Sequence, residues 1–270
     1  VYSDKLYNNL LRNNEEAKKL RREIRKIDKA LASFGYKEGI LLPNVILARD
    51  FARKNRNAII YDQVILEGIG TTFPETEAIL EQGIIKNARA EDVQKILNLK
   101  RAWEFILDDD VLLAKTDFHL ISYIAKIVNE GLFIFGGEVR GVPVKIGGST
   151  YYPPIPLESK VKEDINALLS SSLNDVDTAI ELCLYIMKTQ IFNDGNKRTA
   201  VIATNHYLVS KGIGFLAIAY DKVPAFREML VNYYENKNYF CFSIDDISII
   251  FCTTQITFMG KGRCVVSNIS

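Results

Sequence analysis

Apolar positions recur at helical spacing along most of the chain. Leu20, Ile24, Ile27 and Leu31 are spaced 4, 3 and 4, which predicts one long helix over residues 5–34. Around that stripe, residues 12–29 carry eight basic and four acidic side chains. The favoured role is a solvated helix docking one stripe on its own domain or on a twin subunit. Two heptads are short for an independent coiled coil. The stretch 90–107, AEDVQKILNLKRAWEFIL, reads as a second helix, with Glu91 and Asp92 suited to the positive end of its dipole. A third is expected from Asp117 to about residue 130, stopping at Gly131, and a fourth from about 158 to 169. Asn174 offers an N-cap for a helix reaching about Thr189. Val176, Ala179, Ile180, Leu182, Cys183, Leu184, Ile186 and Met187 make that helix apolar on nearly every side, as at the centre of a bundle. The next helix is expected from Lys197-Arg198 to Lys211, with Gly212 as its stop.

One segment breaks the helical period. Val142, Val144 and Ile146 alternate with Pro143 and Lys145; Gly147-Gly148 then offers a two-residue turn before Ser149-Thr150-Tyr151-Tyr152. Alternation flanking Gly-Gly is a hairpin signal. The pattern therefore predicts an α-helical domain with one hairpin laid across it. The stretch from about 239 to the end is rich in β-branched and aromatic residues and receives no assignment.

Composition narrows the functional classes. The 34 Lys and Arg against 33 Asp and Glu leave a formal charge of +1, which provides no whole-protein field for nucleic acid. No apolar run reaches the roughly 18 residues that span a bilayer, and the opening residues show no apolar leader core. Cys183, Cys241, Cys252 and Cys264 form no C-x-x-C pair, and the chain holds two His. The expectation is a cytoplasmic protein without a Cys/His zinc site.

The candidate chemistry lies at 190–199, QIFNDGNKRT, between the buried helix and its successor. Asn193-Asp194-Gly195-Asn196 must form a tight loop, because Gly and Asn tolerate positive φ. The backbone N–H groups of such a loop and of the following helix start converge on one spot and favour an anion there. Lys197 and Arg198 add two cations, and Arg can grip phosphate oxygens bidentately. Beside a phosphate, the Asp194 carboxylate calls for a divalent ion between them, most naturally Mg²⁺. Phe192 is expected to turn inward and anchor the loop. The plainer alternative is a helix connection in which Asp194 caps the second helix and Lys197-Arg198 are solvated; six specified identities in seven residues weigh against it.

These residues resemble the signature of the Fic/Doc (Fido) family, His-x-Phe-x-Asp/Glu-Gly-Asn-x-Arg-x-x-Arg. Residues 136–156, GGEVRGVPVKIGGSTYYPPIP, resemble that family's flap, and 66–80, LEGIGTTFPETEAIL, its inhibitory-helix segment, all in the family's order. The resemblance implies an all-α fold, a Fic-type helical bundle with a small β-hairpin flap. It divides the chain into an N-terminal helical region (1–58), a core (59–236, with the inhibitory-type helix about 60–68, flap about 138–152 and motif 190–198) and an extension (237–270). It implies a protein adenylyltransferase, moving AMP from ATP onto a hydroxyl of a target protein, with a Doc-like protein kinase or a non-catalytic nucleotide-binding module as the alternatives. On that pattern Asp194 holds Mg²⁺, Asn193, Gly195, Asn196, Lys197 and Arg198 meet the nucleotide, and Arg198 also serves catalysis. Ile146, Gly147, Gly148, Ser149 and Thr150 form the flap tip, where a protein substrate pairs by strand addition. Glu67 is the candidate regulatory residue. A homo-oligomer or an antitoxin is left open as a further partner, since the family includes toxin–antitoxin members.

Three positions depart from the signature. Gln190 stands where the motif has His, and a carboxamide does not titrate in the range a general base needs. His206 lies eight residues beyond Arg198, about 12 Å along a helix axis, and His119 reads as structural. Lys197 replaces a common Gly and brings the segment close to the Doc branch, which transfers phosphate. Val201 replaces the motif's last Arg, and Gln63 the Ser/Thr that precedes the inhibitory Glu, so Glu67 either finds another cation such as Arg198 or does not inhibit.

Overall fold

A computed structural model of the protein describes residues 41–83 and 88–235, together with the backbone of 248–251. The helix expected over 5–34 lies outside these residues, as does the terminal extension apart from that backbone segment. The described elements are α1 (Pro43–Glu67), α2 (Phe73–Gln82), α3 (Ala90–Ile106), α4 (Asp109–Leu113), α5 (Phe118–Val128), α6 (Glu158–Leu169), α7 (Asp175–Thr189), α8 (Asn196–Ser210), β1 (Gly214–Ala217), a 3-10 turn (Tyr220–Lys222), α9 (Val223–Tyr234) and β2 (Ser248–Phe251). The fold is all-α, as the helical periodicity predicts. β1 and β2 add one antiparallel ladder, pairing Gly214 with Phe251 and Ala217 with Ser248.

Asn174 caps its helix as expected, and Asp117 does the same for the helix it precedes. Asn174 Oδ1 accepts the N–H of Asp177 at 2.9 Å, and Asp117 Oδ1 that of Leu120 at 2.8 Å. α1 runs unbroken through 58 and 59, so the division drawn there falls inside an element. It opens on Pro43 and stops where Gly68 turns left-handed at φ 82°, with Gly68 N–H reaching Ile65 O and Ile69 N–H reaching Val64 O. That stop fixes Glu67 on the last turn of the helix.

The core centres on α8 more than on α7. Thirteen of the fifteen α8 residues are buried, polar ones included. Burying Asn205 and His206 is affordable because each is bonded on both sides. Asn205 Nδ2 donates to Leu216 O and its Oδ1 accepts from Leu216 N–H, tying α8 to β1. His206 lies 2.8 Å from Thr116 Oγ1 and 2.9 Å from Val111 O, far from any catalytic role, and burial lowers its pKa.

The paired strands expected in the hairpin do not form. The turn closes, with Ser149 N–H reaching Ile146 O at 3.3 Å, but residues 141–146 and 149–157 form no strand and no ladder joins them. Only the second glycine, Gly148, takes a positive φ (79°), whereas turns that match strand twist need it at the first central residue or at both. Pro143, Pro153 and Pro154 also lack the N–H a ladder requires. The single bridge in this region joins Val139 to Phe192, at the base of the flap.

Candidate functional site

α7 ends where Gln190 itself turns left-handed (φ 50°), the one non-glycine residue to do so among those described. Its side chain is spent locally: Nε2 donates to Met187 O at 2.6 Å and Oε1 accepts from Asn196 Nδ2 at 3.2 Å. Phe192 is buried and anchors the loop as expected. Asn196 staples it, its Oδ1 accepting Phe192 N–H at 2.9 Å and its Nδ2 donating to Phe192 O at 2.7 Å. The Asn196 side chain therefore shapes the loop, and what it presents to a ligand is its backbone N–H. Asn193 is half-buried in the same turn.

Gly195, at φ 73°, is the N-cap of α8, and no side chain caps that helix. The alternative in which Asp194 caps it is not what forms. The first N–H groups of α8 thus keep their donors and the positive end of the helix dipole for a ligand. Asp194 instead pairs with Arg198, Oδ2 to Nη2 at 2.7 Å, with the carboxylate half exposed and the guanidinium 1% exposed. Arg198 Nη1 also holds Val128 O at 3.1 Å.

Glu67 arrives from the end of α1 on the other side of Arg198. Its Oε2 lies 3.4 Å from Arg198 Nε and its Oε1 3.8 Å from Lys197 Nζ. Gln63, one turn earlier, donates to Arg198 O at 3.0 Å and accepts from Trp103 Nε1 at 3.0 Å. Val201 is buried, so the position of the missing Arg is filled by apolar packing, and Glu67 meets the two cations nearer the helix start.

Five buried side-chain polar atoms lack a hydrogen bond among the described residues. Four of them, Arg198 Nε, Glu67 Oε1, Asn129 Oδ1 and Thr199 Oγ1, surround this helix start. Arg198 Nε and Glu67 Oε1 are in the ion pairs above, which leaves Asn129 Oδ1 and Thr199 Oγ1 as the buried atoms here that call for a further partner. Asp194 opens on a cleft of about 510 Å³ lined also by Ala90, Glu91, Gln94, Gly131 and Leu132. A cation there would have Asp194 as its one motif carboxylate, since no group of three His, Cys, Asp or Glu gathers among the described residues. One carboxylate plus phosphate oxygens and waters is the way Mg²⁺ is commonly held, so the donor set fits.

The flap tip lies against another element. Ser149 Oγ, Thr150 N–H and Thr150 Oγ1 all reach Glu235 Oε1, just past α9. Ile146 is half-buried, while Gly147 and Gly148 are exposed. The flap's base is what meets the motif. Arg140, 1% exposed, sends Nε to Gln190 O at 2.6 Å, Nη1 to Val142 O at 2.8 Å, and Nη2 to the carbonyls of Thr189, Pro153 and Pro154. Sequence reasoning missed Arg140, Asn129 and Glu235. Asn129 Nδ2 donates to Asp194 O at 3.0 Å, yet in the sequence it is only a residue near a helix stop.

Comparison with known proteins places this arrangement. Residues 113–208 match the Fic/DOC family. Over 162 residues the chain is 28% identical to Protein adenylyltransferase Fic of Drosophila willistoni, a match that covers 57% of this chain and 32% of that protein, so the chain spans about a third of that relative's length. The fold is similar to a Fic-domain-containing signaling protein from Bacteroides thetaiotaomicron, with a TM-score of 0.58 at 20% identity over 75% of this chain and 79% of that one. It is also similar to Fic-1 from C. elegans, with a TM-score of 0.59 at 18% identity over 87% and 75%. Among the described residues no helix is long and apolar enough to cross a membrane. The sequence signature and the uncapped helix start it builds both lie within the stretch, residues 113–208, that matches the Fic/DOC family.

Proposed function

We propose that the chain is a Fic-type transferase scaffold that binds ATP with Mg²⁺ at Asp194–Arg198 and passes AMP to a hydroxyl of a protein laid along the flap, the new P–O bond forming at the α-phosphate as pyrophosphate leaves and the hydroxyl gives up its proton. The observation that carries this reading is the uncapped start of α8 beside the buried Arg198, whose Nε makes no hydrogen bond and faces only the Glu67 carboxylate at 3.4 Å. Arg198 and the N–H groups of 196–198 bind and orient phosphate oxygens, and Asp194 holds the metal. When bound, Mg²⁺ supplies charge neutralisation to the phosphates. Gly195 lets the backbone approach closely. Gln190 occupies the place from which a base would take the hydroxyl proton, and its carboxamide cannot hold that proton near neutral pH, so the step is impaired. Glu67 adds a second brake, because its carboxylate lies on the Arg198 face that phosphate would need. The likeness to a protein named an adenylyltransferase supports the same chemistry.

The test is the double variant Gln190→His, Glu67→Ala, incubated with Mg²⁺, a cell lysate and ATP labelled at the α- or γ-phosphate. The expected outcome is labelled protein, at least tenfold above the parent chain. Retained α label means AMP transfer; γ label alone means phosphate transfer, the reading that Lys197 favours. No protein label from either nucleotide overturns the proposal.

A further inference from the structure

The three donors at the flap tip converge on a single oxygen. Thr150 N–H, Thr150 Oγ1 and Ser149 Oγ lie 2.6, 2.9 and 3.1 Å from Glu235 Oε1. They are organised by the flap itself. Ser149 is 7% exposed, its Oγ accepts Tyr151 N–H at 3.1 Å, and its own N–H closes the turn on Ile146 O. The Ser149 hydroxyl accepts from Tyr151 on one lone pair and donates its proton to the Glu235 carboxylate, which can only accept. Three donors aimed at one point form charge-assisted bonds to a carboxylate, which are stronger than bonds to a neutral oxygen.

The resident carboxylate is poorly placed. Glu235 follows the last residue of α9, at the negative end of that helix, where an anion is disfavoured. Past the tip, Thr150, Tyr152, Pro154 and Ile155 are exposed on chain that belongs to no helix or strand among the described residues, so their surface is open to a bound polypeptide.

We propose that the Ser149–Thr150 tip is a receptor for the carboxylate of an Asp or Glu side chain on the bound polypeptide, and that Glu235 is its internal stand-in. An incoming acidic residue replaces Glu235 on the same three donors, so the target class is a segment carrying an acidic side chain where it crosses the flap tip. This rests on the reading that the flap receives a polypeptide, but its test needs neither ATP nor transfer.

The experiment is an NMR titration of backbone amides in the full chain, wild type against Glu235→Ala, with sodium acetate and with sodium chloride as ionic-strength control. Acetate is expected to shift the Thr150 and Tyr151 amides saturably in Glu235→Ala and not in the wild type. Adding Ser149→Ala and Thr150→Val is expected to abolish the shift. A short capped peptide containing Ser and Glu is expected to bind Glu235→Ala at least tenfold more tightly than the same peptide with Gln for Glu. If Glu235→Ala does not fold, Glu235→Gln replaces it, with peptide binding expected above wild type by severalfold. No saturable acetate shift, or equal binding of the Glu and Gln peptides, overturns the proposal; absence of transfer in the labelling assay bears on the transferase reading alone.

Discussion

A carboxyl half sunk into apolar packing keeps its proton longer than one in water, and Asp62 is such a group. Burial, the largest influence, and the nearby Asp221 carboxylate raise its pKa from 3.8 to about 6, against the lowering effect of Tyr220 N–H bonded to it at 3.0 Å. The sign follows from proton counting: the folded state binds the proton more tightly, so its contribution is full below the unfolded value and is lost as pH rises to about 6. Asp62→Asn keeps an acceptor for Tyr220 and removes the titration. Its stability should match wild type near pH 4 and exceed it by about 1 kcal/mol above pH 6, a figure already reduced for solvent screening. Urea midpoints at several pH values check this; parallel profiles would sink it. At this scale the motif was readable because its content is residue identity. Unreadable were the partners across long separations, such as Gln63 on Arg198 O, which no local period encodes.

Where two elements meet, the decisive residue is the one that cannot carry a side chain. Gly195 takes φ 73°, and a Cβ there would come within 2.8 Å of Asn129 Oδ1 and 2.9 Å of Val128 Cγ1. Left-handed backbone alone costs an L-residue about 1–2 kcal/mol, and moving Asn129 would break its bond to Asp194 O. Gly195→Ala should therefore lose about 2–3 kcal/mol and lower Tm by about 4–10 °C. Gly147→Ala, at a position with nothing within 4 Å, is the control and should stay within about 0.5 kcal/mol of wild type. Equal melting temperatures for the two variants would refute the close approach. Helices were legible because periodicity and caps act within a few residues: α6, α7 and their starts lie where Asn174 and the apolar stripes put them. The flap was half legible. Gly147-Gly148 announced a turn, but which glycine would take positive φ, and hence whether strands would pair, is set by what holds the flanks.

What holds them is a property of the whole molecule. Arg140 draws together the flap base at Val142, the returning chain at Pro153 and Pro154, and the end of α7 at Thr189 and Gln190, through five carbonyls and no carboxylate. Desolvation lowers its pKa, yet a guanidinium stays protonated, so the site keeps a buried cation satisfied by backbone oxygens alone. Two of those carbonyls belong to the last residues before the motif loop, where helix-end carbonyls lack intrahelical partners. Arg140→Met would strand all five and should cost about 3 kcal/mol or more, since bonds to charged groups carry about 1.5–3 kcal/mol each and are not additive. Arg140→Lys keeps the charge with three donors instead of five and loses the planar fork, so it should recover only part of the deficit. The order wild type, Lys, Met in thermal unfolding checks this. A second readout separates a positioning role from simple stability: amide exchange at 189–192 should quicken in both variants even under conditions where the α3 amides remain protected. If exchange there rises no faster than in α3, Arg140 is merely one more buried contact, and the coupling between flap and motif must run through the Val139–Phe192 bridge instead.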